Sequence, residues 1–193
     1  MKIKSLVGLF TAAALSMSVA TTAVADDKVL LKLPVWFGTH LTGLGSSPLF
    51  FADTVNSASG GSVKVKVYEP GKLVANGEML ESVSNGSVNA GWGTPGYNTG
   101  LLGRKAAIFS AVPFGPEAGE FMAWVYYGGG RELWQKLYDD AGYNVHAVPC
   151  SIIAPETSGW FTKEINSVAD LDGLRMRFFG LGANVMEKLG VTT

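Results

Sequence analysis

Segments with the pattern of a strand alternate with segments that favour a helix along the sequence. The clearest strand lies at residues 62–68, where valines and lysines alternate strictly, so that one face would be apolar and the other charged. Residues 29–37 are also strand-like, being apolar and rich in Val and Leu. Residues 49–57 favour a helix, which Pro48 suits because the N–H that proline lacks would have no partner in a first turn. This order predicts an α/β fold with a largely parallel sheet.

The same alternation continues toward the C-terminus. Further helices are predicted from a cap at Asn76 to residue 84 and at residues 117–127, 131–140 and 182–189, and further strands at residues 88–92, 143–149, 159–162 and 174–179. Residues 93–97 are too rich in glycine and proline for a regular element. Ser167 and Asp170 have the spacing of a capping box, which predicts a short helical turn between them.

The composition fits a folded domain without the charge pattern of a nucleic-acid or membrane-surface protein. Hydrophobic residues make up 47% of the 193 residues, which is enough for a core. The formal net charge is -1, so a basic binding surface is not expected. The single cysteine, Cys150, excludes an intramolecular disulfide framework and a cysteine-built zinc site. We expect its thiol to be buried, since free cysteines commonly pack as small apolar groups.

Residues 1–25 have the organisation of a cleavable signal peptide. Lys2 and Lys4 give a positive start, and residues 6–20 are apolar or small without a charge. The sequence Ala-Val-Ala then provides the small residues of a cleavage site, which would leave Asp26 at the new N-terminus. A membrane anchor is the alternative, but a spanning helix needs about 20 strongly apolar residues, and threonine and serine dilute this run. The segment predicts export to the periplasm.

The sequence gives no positive support for an enzyme. Its two histidines, His40 and His146, lie outside the spacings that metal sites use. His146 is close to Cys150 in sequence, but its alternating strand explains it better than a nucleophilic pair. The patterns of a nucleophile elbow, a phosphate-binding loop and a dinucleotide-binding turn are absent from strand–helix contexts, and glycines 128–130 follow a helix. We predict no catalytic residue.

Two arginines suggest an anion site near the end of the chain. Alternation along residues 174–179 places Arg175 and Arg177 on one face of a strand, directly before a glycine loop and a helix. A guanidinium offers paired donors to a carboxylate, and a helix start adds backbone N–H groups. The alternative is that both arginines only solvate the edge of the sheet. The strand pattern leaves both interpretations open.

Aromatic residues and one carboxylate lie where an α/β sheet binds ligands. Trp36, Phe37, Trp92 and Tyr97 come at or just after predicted strand ends, and ligands bind at the carboxyl ends of such strands. Taken singly, each aromatic residue is better explained by packing in a core, since large aromatic side chains dominate cores. Glu156 precedes a predicted strand, where it would hold a cation or a substrate hydroxyl if it faced a cleft, and be a solvated loop charge otherwise.

Residues 159–177 resemble the signature stretch of the solute receptors of tripartite ATP-independent periplasmic (TRAP) transporters. The family pattern "dDLkGlkiR" appears here as ADLDGLRMR, and the helix that follows ends in Leu-Gly at residues 189–190, as in the family. Upstream, YEPGKL at residues 68–73 resembles the family's "ypaGqLg" segment, and residues 78–91 resemble the helix and strand that follow it. The sequence is therefore identified as similar to these receptors, and most closely to their branch for 2-oxo or hydroxy carboxylates.

The resemblance implies roles for three residues. Arg177 matches the carboxylate-binding arginine, and Tyr97 matches an aromatic residue that lines the cleft in the 2-oxo-acid branch. Glu156 stands where that branch carries a glutamine that holds substrate and a cation. A glutamate there would favour a divalent metal or select a different substrate. A Na or Ca ion bound with the substrate is the corresponding cofactor hypothesis, with Glu156 as its ligand, and Trp92 and Trp36 are expected to line the pocket.

The resemblance also implies a periplasmic-binding-protein-like fold of two α/β lobes with mixed, largely parallel sheets. We expect residues 26–150 to form the first lobe and residues 151–193 the start of a second, incomplete lobe, since two lobes would need about 300 residues. Such a receptor traps a small organic acid by hinge closure and presents it to the membrane subunits of the transporter. A receptor for an ABC importer and, from another class, a secreted enzyme using Cys150 or Glu156 are the alternatives. A nucleic-acid partner is not expected, and a homodimer stays open.

Overall fold

Two parallel strands joined by a helix form the centre of the fold. The computed structural model describes residues 28–110, 112, 115–152, 159–178 and 180–193, so the predicted signal peptide and Glu156 lie outside the described residues. Strand β1 (Val29–Pro34) pairs in parallel with β2 (Val63–Tyr68), in a register that runs from Val29–Val63 to Pro34–Tyr68. Helix α1 (Ser46–Ala58) connects them. The predicted α/β organisation is confirmed, and α1 begins three residues earlier than expected.

The alternation in β2 explains how this unit packs. Val65 is buried, whereas its lysine neighbours are exposed. Val65 forms a core cluster with Leu33 of β1 and Ala52 of α1. The Asn56 side chain of α1 also bonds the β2 backbone, accepting from the Val65 N–H at 2.7 Å and donating to the Val65 carbonyl at 3.2 Å. These bonds satisfy backbone groups on the outer edge of β2, which would otherwise be open to another strand.

A second core cluster lies under the helices that follow. After the 3₁₀ turn Asn76–Glu78, these are α2 (Met79–Ser84), α3 (Thr99–Leu102), α4 (Ala118–Tyr127), α5 (Gly130–Asp140) and α6 (Gly180–Lys188), with further 3₁₀ turns at Pro95–Asn98, Arg104–Phe109 and Val168–Leu171. Buried Leu80, Leu102, Ala106, Phe109 and Leu137 make up the cluster. The Phe109 ring stacks on Trp124 at a centroid distance of 5.6 Å and on Trp134 at 5.1 Å. This aromatic stack joins α4 and α5 to the turn Arg104–Phe109, and the cluster residues Leu80 and Leu102 bring α2 and α3 to the same core.

Two local signals in the sequence are confirmed. The Ser167–Asp170 capping box forms, with the Ser167 amide donating to the Asp170 carboxylate at 2.7 Å, and it starts the turn Val168–Leu171. Helices α4 and α5 meet at Gly129, whose φ of +82° lies in the left-handed region that glycine adopts without strain. The glycines at 128–130 therefore form a sharp turn between two helices, as their position after a helix predicted.

Four predicted strands are wrong as regular elements. Residues 88–92 and 174–179 each contribute one isolated bridge, Val35–Trp92 and Arg175–Thr192, and residues 143–149 and 159–162 pair with no strand in the described part of the chain. In residues 143–149 the Gln135 side chain takes the place of a neighbouring strand. It donates to the Val145 carbonyl at 2.8 Å and accepts from the Ala147 N–H at 3.0 Å. A strand-like pattern gives a strand only where a partner backbone lies beside it.

The cap predicted at Asn76 is also wrong. The residue preceding the first helical turn is Ala75, and it makes no side-chain cap. The Asn76 side chain instead donates to the Trp36 carbonyl at 3.2 Å, across 40 positions of sequence. A long-range bond competes here with the local one that the pattern favours.

The described helices are short. None of those that the structure describes combines the length and the apolar character needed to span a membrane.

Candidate ligand-binding site

An aromatic wall, formed by Trp36, Phe37 and Tyr97, stands at the carboxyl end of β1. Trp36 and Phe37 follow the strand after one residue, Val35, and Tyr97 lies in the turn Pro95–Asn98. The Tyr97 ring meets Trp36 at a centroid distance of 4.8 Å and an interplanar angle of 67°, and Phe37 at 6.1 Å and 69°. These edge-to-face contacts suit the charge distribution of aromatic rings and hold the three side chains in fixed relative positions.

Backbone hydrogen bonds place Trp36 beside Trp92. The Trp36 N–H donates to the Trp92 carbonyl at 3.0 Å, and the Trp92 N–H donates to the Pro34 carbonyl at 3.0 Å. Residues 88–92 thus run along β1 on the side opposite β2. Gly93 follows at once, and a Cβ atom there would lie 3.2 Å from the Trp36 indole, so the close approach of this loop favours glycine.

Ser110 fixes the turn that carries Tyr97. Its hydroxyl accepts from the Gly96 N–H at 2.7 Å and lies 2.5 Å from the Thr94 hydroxyl. Ser110 itself follows the turn Arg104–Phe109, which packs in the second core cluster. The position of Tyr97 therefore depends on the aromatic core below it.

Arg177 reaches this wall from the far end of the described chain. Its guanidinium donates to the Tyr97 hydroxyl at 3.3 Å, a contact that spans 80 positions of sequence. The Arg177 side chain is exposed, and helix α6 begins three residues later at Gly180. A guanidinium has five N–H donors in a planar fork, so a bond to Tyr97 leaves donors for a carboxylate.

Arg175 does not join this cluster. Its backbone bridges to Thr192, and its side chain is exposed and makes no hydrogen bond or ion pair to any described residue. The two arginines that the sequence could not separate therefore differ: one meets the aromatic wall, and the other solvates the surface.

The Trp92 ring packs away from Tyr97. It lies 5.7 Å from Phe51 of α1, in a cleft of about 540 Å³ that is also lined by Ser46, Ser47, Phe50, Thr54 and Cys150. The structure thus brings together Trp36, Tyr97 and Arg177 and joins Trp92 to them through the backbone only. The assignment of Trp92 to a ligand pocket stays a prediction.

Cys150 corrects one expectation. Its residue is exposed rather than buried, because residues 143–149 do not pair into a sheet that would cover it. Its thiol donates to the Val148 carbonyl at 3.4 Å, and partial desolvation raises the pKa of the thiol. A raised pKa disfavours the nucleophilic thiolate, and no hydrogen bond joins Cys150 to His146 in the part of the chain that is described.

The described residues contain no group of three or more His, Cys, Asp or Glu side chains that could hold a metal ion. A cation bound with the substrate stays a prediction for this chain. Glu156, the predicted ligand, lies outside the described residues.

Sequence patterns missed the residues that support the wall. The Glu69 carboxylate accepts from the Thr39 amide at 3.2 Å and from the Thr39 hydroxyl. The bond from the Thr39 hydroxyl is the main reason why the pKa of Glu69 is lowered from its usual value. The one available signal was position, because Glu69 directly follows β2, at the same end of the sheet as Trp36.

Comparison with known proteins identifies relatives of this chain. A model of the family described as bacterial extracellular solute-binding protein, family 7, matches residues 40–193. The chain is 39% identical over 142 residues to a monocarboxylate 2-oxoacid-binding periplasmic protein of Nostoc sp., a match that covers 72% of this chain and 38% of the relative.

Two solved structures share the fold. A TRAP transporter solute-binding protein from Bordetella bronchiseptica, a dimer with copurified calcium and picolinate in its active site, is 29% identical with a TM-score of 0.74, over 85% of this chain and 48% of that one. A TRAP periplasmic solute-binding protein from Pseudoalteromonas atlantica, with bound sodium and pyruvate, is 31% identical with a TM-score of 0.69, over 86% and 49%.

The chain thus spans about half the length of these solved structures and less of the Nostoc protein. The matches confirm the resemblance and the periplasmic-binding-protein-like α/β fold, and they are to receptors, not to enzymes. This chain belongs to family 7 of the bacterial extracellular solute-binding proteins.

Proposed function

We propose that the protein is a periplasmic receptor that captures a small 2-oxo or hydroxy carboxylate for the membrane subunits of a TRAP transporter. The observation that carries the proposal is the hydrogen bond from the Arg177 guanidinium to the Tyr97 hydroxyl, beside Trp36. A cationic side chain beside an aromatic wall suits the binding of a small organic anion. Relatives named for a 2-oxoacid, or solved with pyruvate or picolinate, support this ligand class.

Each side chain has a part in this mechanism. Arg177 would pair with the ligand carboxylate through its remaining donors, and such charge-assisted bonds are the strong ones. The Tyr97 hydroxyl would orient the guanidinium, and the rings of Trp36 and Phe37 would exclude water from the ion pair. In the proposed division at residues 150 and 151, Tyr97 belongs to the first lobe and Arg177 to the second, so a bound acid would bridge the lobes as they close.

The signal peptide at residues 1–25 and the use of a TRAP transporter rather than an ABC importer are parts of the same proposal. The Nostoc relative is described as periplasmic, and both solved relatives as TRAP receptors. The Bordetella relative is described as a dimer, and a homodimer stays a prediction for this chain.

Native mass spectrometry of the full-length protein, purified from the periplasm without refolding, tests this function. A retained mass of a small carboxylate, lost on unfolding, is the expected result. A protein that is recovered empty and gains no thermal stability from a panel of 2-oxo and hydroxy acids, pyruvate included, would contradict it.

Changing Tyr97 should separate its ring from its hydroxyl. We expect Tyr97→Phe to weaken pyruvate binding about threefold to tenfold, because the bond that orients Arg177 is lost. Tyr97→Ala also removes the ring contacts with Trp36 and Phe37, and we expect a loss of about 30-fold or more. Isothermal titration calorimetry measures both, and equal losses would mean that the hydroxyl has no separate part.

The cation hypothesis has its own test. If Glu156 is a ligand, equilibrium dialysis of the full-length protein with calcium should show one bound ion, and Glu156→Gln should weaken calcium binding by about tenfold or more, since a charged oxygen is replaced by a neutral one. Dialysis that finds no cation with or without pyruvate would remove the hypothesis and leave the role of Arg177 untouched.

A further inference from the structure

One carboxylate ties the loop that follows the aromatic wall to the end of β2. Glu69 is the first residue after that strand, and Thr39 lies two residues after Phe37. Both oxygens of the Glu69 side chain accept from Thr39, Oε2 from the backbone amide at 3.2 Å and Oε1 from the hydroxyl. Two bonds to one residue fix its orientation as well as its distance, so Thr39 cannot turn about a single contact.

The other end of the same short segment is also held. The Trp36 N–H donates to the Trp92 carbonyl, and the Trp36 carbonyl accepts from the Asn76 side chain. The aromatic pair Trp36–Phe37 is thus held on its N-terminal side by the bonds of the Trp36 backbone and on its C-terminal side by Thr39. The bond between Glu69 and Thr39 is the part of this arrangement that depends on a charge.

We propose that Glu69 is a positioning residue for ligand binding, which acts through Thr39 to hold Trp36 and Phe37 against Tyr97. The chain of contacts runs from Glu69 to Thr39, through the backbone to the two rings, to Tyr97, and from its hydroxyl to Arg177. Its effect on affinity rests on the proposed function, whereas its effect on the position of Trp36 does not.

The charge on Glu69 makes the arrangement dependent on pH. Few charged groups face Glu69. Its hydrogen-bond partner Thr39 is neutral, and His40, in the same loop as Thr39, is the described group whose charge acts on the Glu69 carboxylate. Because the pKa of Glu69 is lowered in the folded protein, its contribution is complete above the ordinary pKa of a glutamate and is lost as the pH falls through the lowered value.

Three variants of the full-length protein test the proposal. Glu69→Gln keeps the size of the side chain but replaces one acceptor oxygen by an NH₂ group that cannot accept from Thr39. Thr39→Val removes the hydroxyl from the other partner. Glu164→Gln is the matched control, since Glu164 is exposed and no described residue is bonded to its side chain.

The first measurement needs no ligand. In protein labelled with ¹⁵N-tryptophan, the indole resonance of Trp36, assigned by its loss in Trp36→Phe, should shift in Glu69→Gln and in Thr39→Val but not in Glu164→Gln. In the wild type the chemical shift of this resonance should change with pH, with a midpoint below the ordinary pKa range of a glutamate. This pH dependence should vanish in Glu69→Gln. A Trp36 resonance that is the same in all the proteins would overturn the proposal, whatever the ligand.

The second measurement is the affinity for pyruvate. We expect Glu69→Gln and Thr39→Val each to weaken binding about tenfold at neutral pH, and the double variant to be no weaker than either, because the two side chains act as one unit. If the losses of the two single variants add up in the double variant, Glu69 is not a positioning residue that acts through Thr39. The same holds if the wild type binds pyruvate and Glu69→Gln binds it equally well. Either outcome leaves the proposed function standing. A wild type that binds no acid would refute the proposed function, while the Trp36 resonance still decides the positioning.

Discussion

Alanine in place of Arg177 should raise the dissociation constant for pyruvate about 100-fold or more, the largest loss that we expect from one change in the site. The guanidinium is the one cationic group that the structure brings to the aromatic wall within the described residues. Its removal would leave a carboxylate beside rings that cannot replace its hydration, and truncating one partner of such a pair typically costs about 2–5 kcal/mol. Isothermal titration calorimetry on the full-length protein gives the constant directly.

Arg175→Ala is the matched control for this variant. Arg175 lies two positions earlier, is also exposed and carries the same charge, but its side chain makes no hydrogen bond or ion pair to a described residue. We expect the affinity of Arg175→Ala for pyruvate to stay within about twofold of the wild-type affinity, since salt screens an exposed charge that lies away from the ligand. Arg177→Lys, which keeps the charge without the planar fork, should fall between the two. Unchanged binding in Arg177→Ala would refute its assignment, and equal losses in both alanine variants would mean that net charge alone matters.

Phe109→Ala should reduce the free energy of unfolding by about 3–5 kcal/mol, as for other large-to-small changes in aromatic cores. Phe109 is only 5% exposed and its ring stacks against both Trp124 and Trp134, so its loss leaves a cavity that two indoles cannot easily fill. Urea titration followed by circular dichroism measures the change. The site should weaken too, because Ser110, which holds the turn of Tyr97, is the next residue.

The control for Phe109 is its neighbour. Ile108 is 43% exposed in the same turn, and Ile108→Ala should cost less than about 1 kcal/mol, since the side chain is only partly removed from water. A loss of similar size in both variants would show that the turn itself, and not the aromatic stack, sets the stability of this region.

The sequence predicted elements best where local chemistry decides them. The valine–lysine alternation located β2, the capping box located the turn at Val168–Leu171, and the helices α4 and α5 lie within one residue of their predicted bounds. Each of these signals lies within the segment that it specifies. The pairing of a strand depends instead on a partner from elsewhere in the chain. The strand-like segment 143–149 has no such partner among the described residues, and its backbone bonds to the Gln135 side chain.

The candidate site divides in the same way. Trp36 and Tyr97 could be predicted as site residues because their positions at or just after predicted strand ends can be read from the sequence. The choice between Arg175 and Arg177 required a contact across 80 positions. Thr39 lies in no motif, and Glu69, although it lies within the segment 68–73, differs there from the family pattern, so the two residues, 30 positions apart, give no joint signal until the sheet places them together. The support of a site is therefore less visible in a sequence than the groups that meet the ligand.

The exposed thiol of Cys150 gives this protein a built-in attachment point for an optical reporter. It is the one cysteine of these 193 residues, and it lines the cleft beside Trp92, whose backbone is bonded to Trp36. A maleimide dye would therefore label the protein at one position within these residues without any engineered change. Because the raised pKa keeps the thiol protonated, labelling should be slow at neutral pH and faster in mild alkali. A dye there would sit in the cleft beside Trp92, and because Trp92 is bonded to Trp36 of the aromatic wall, we expect capture of a ligand to change its emission.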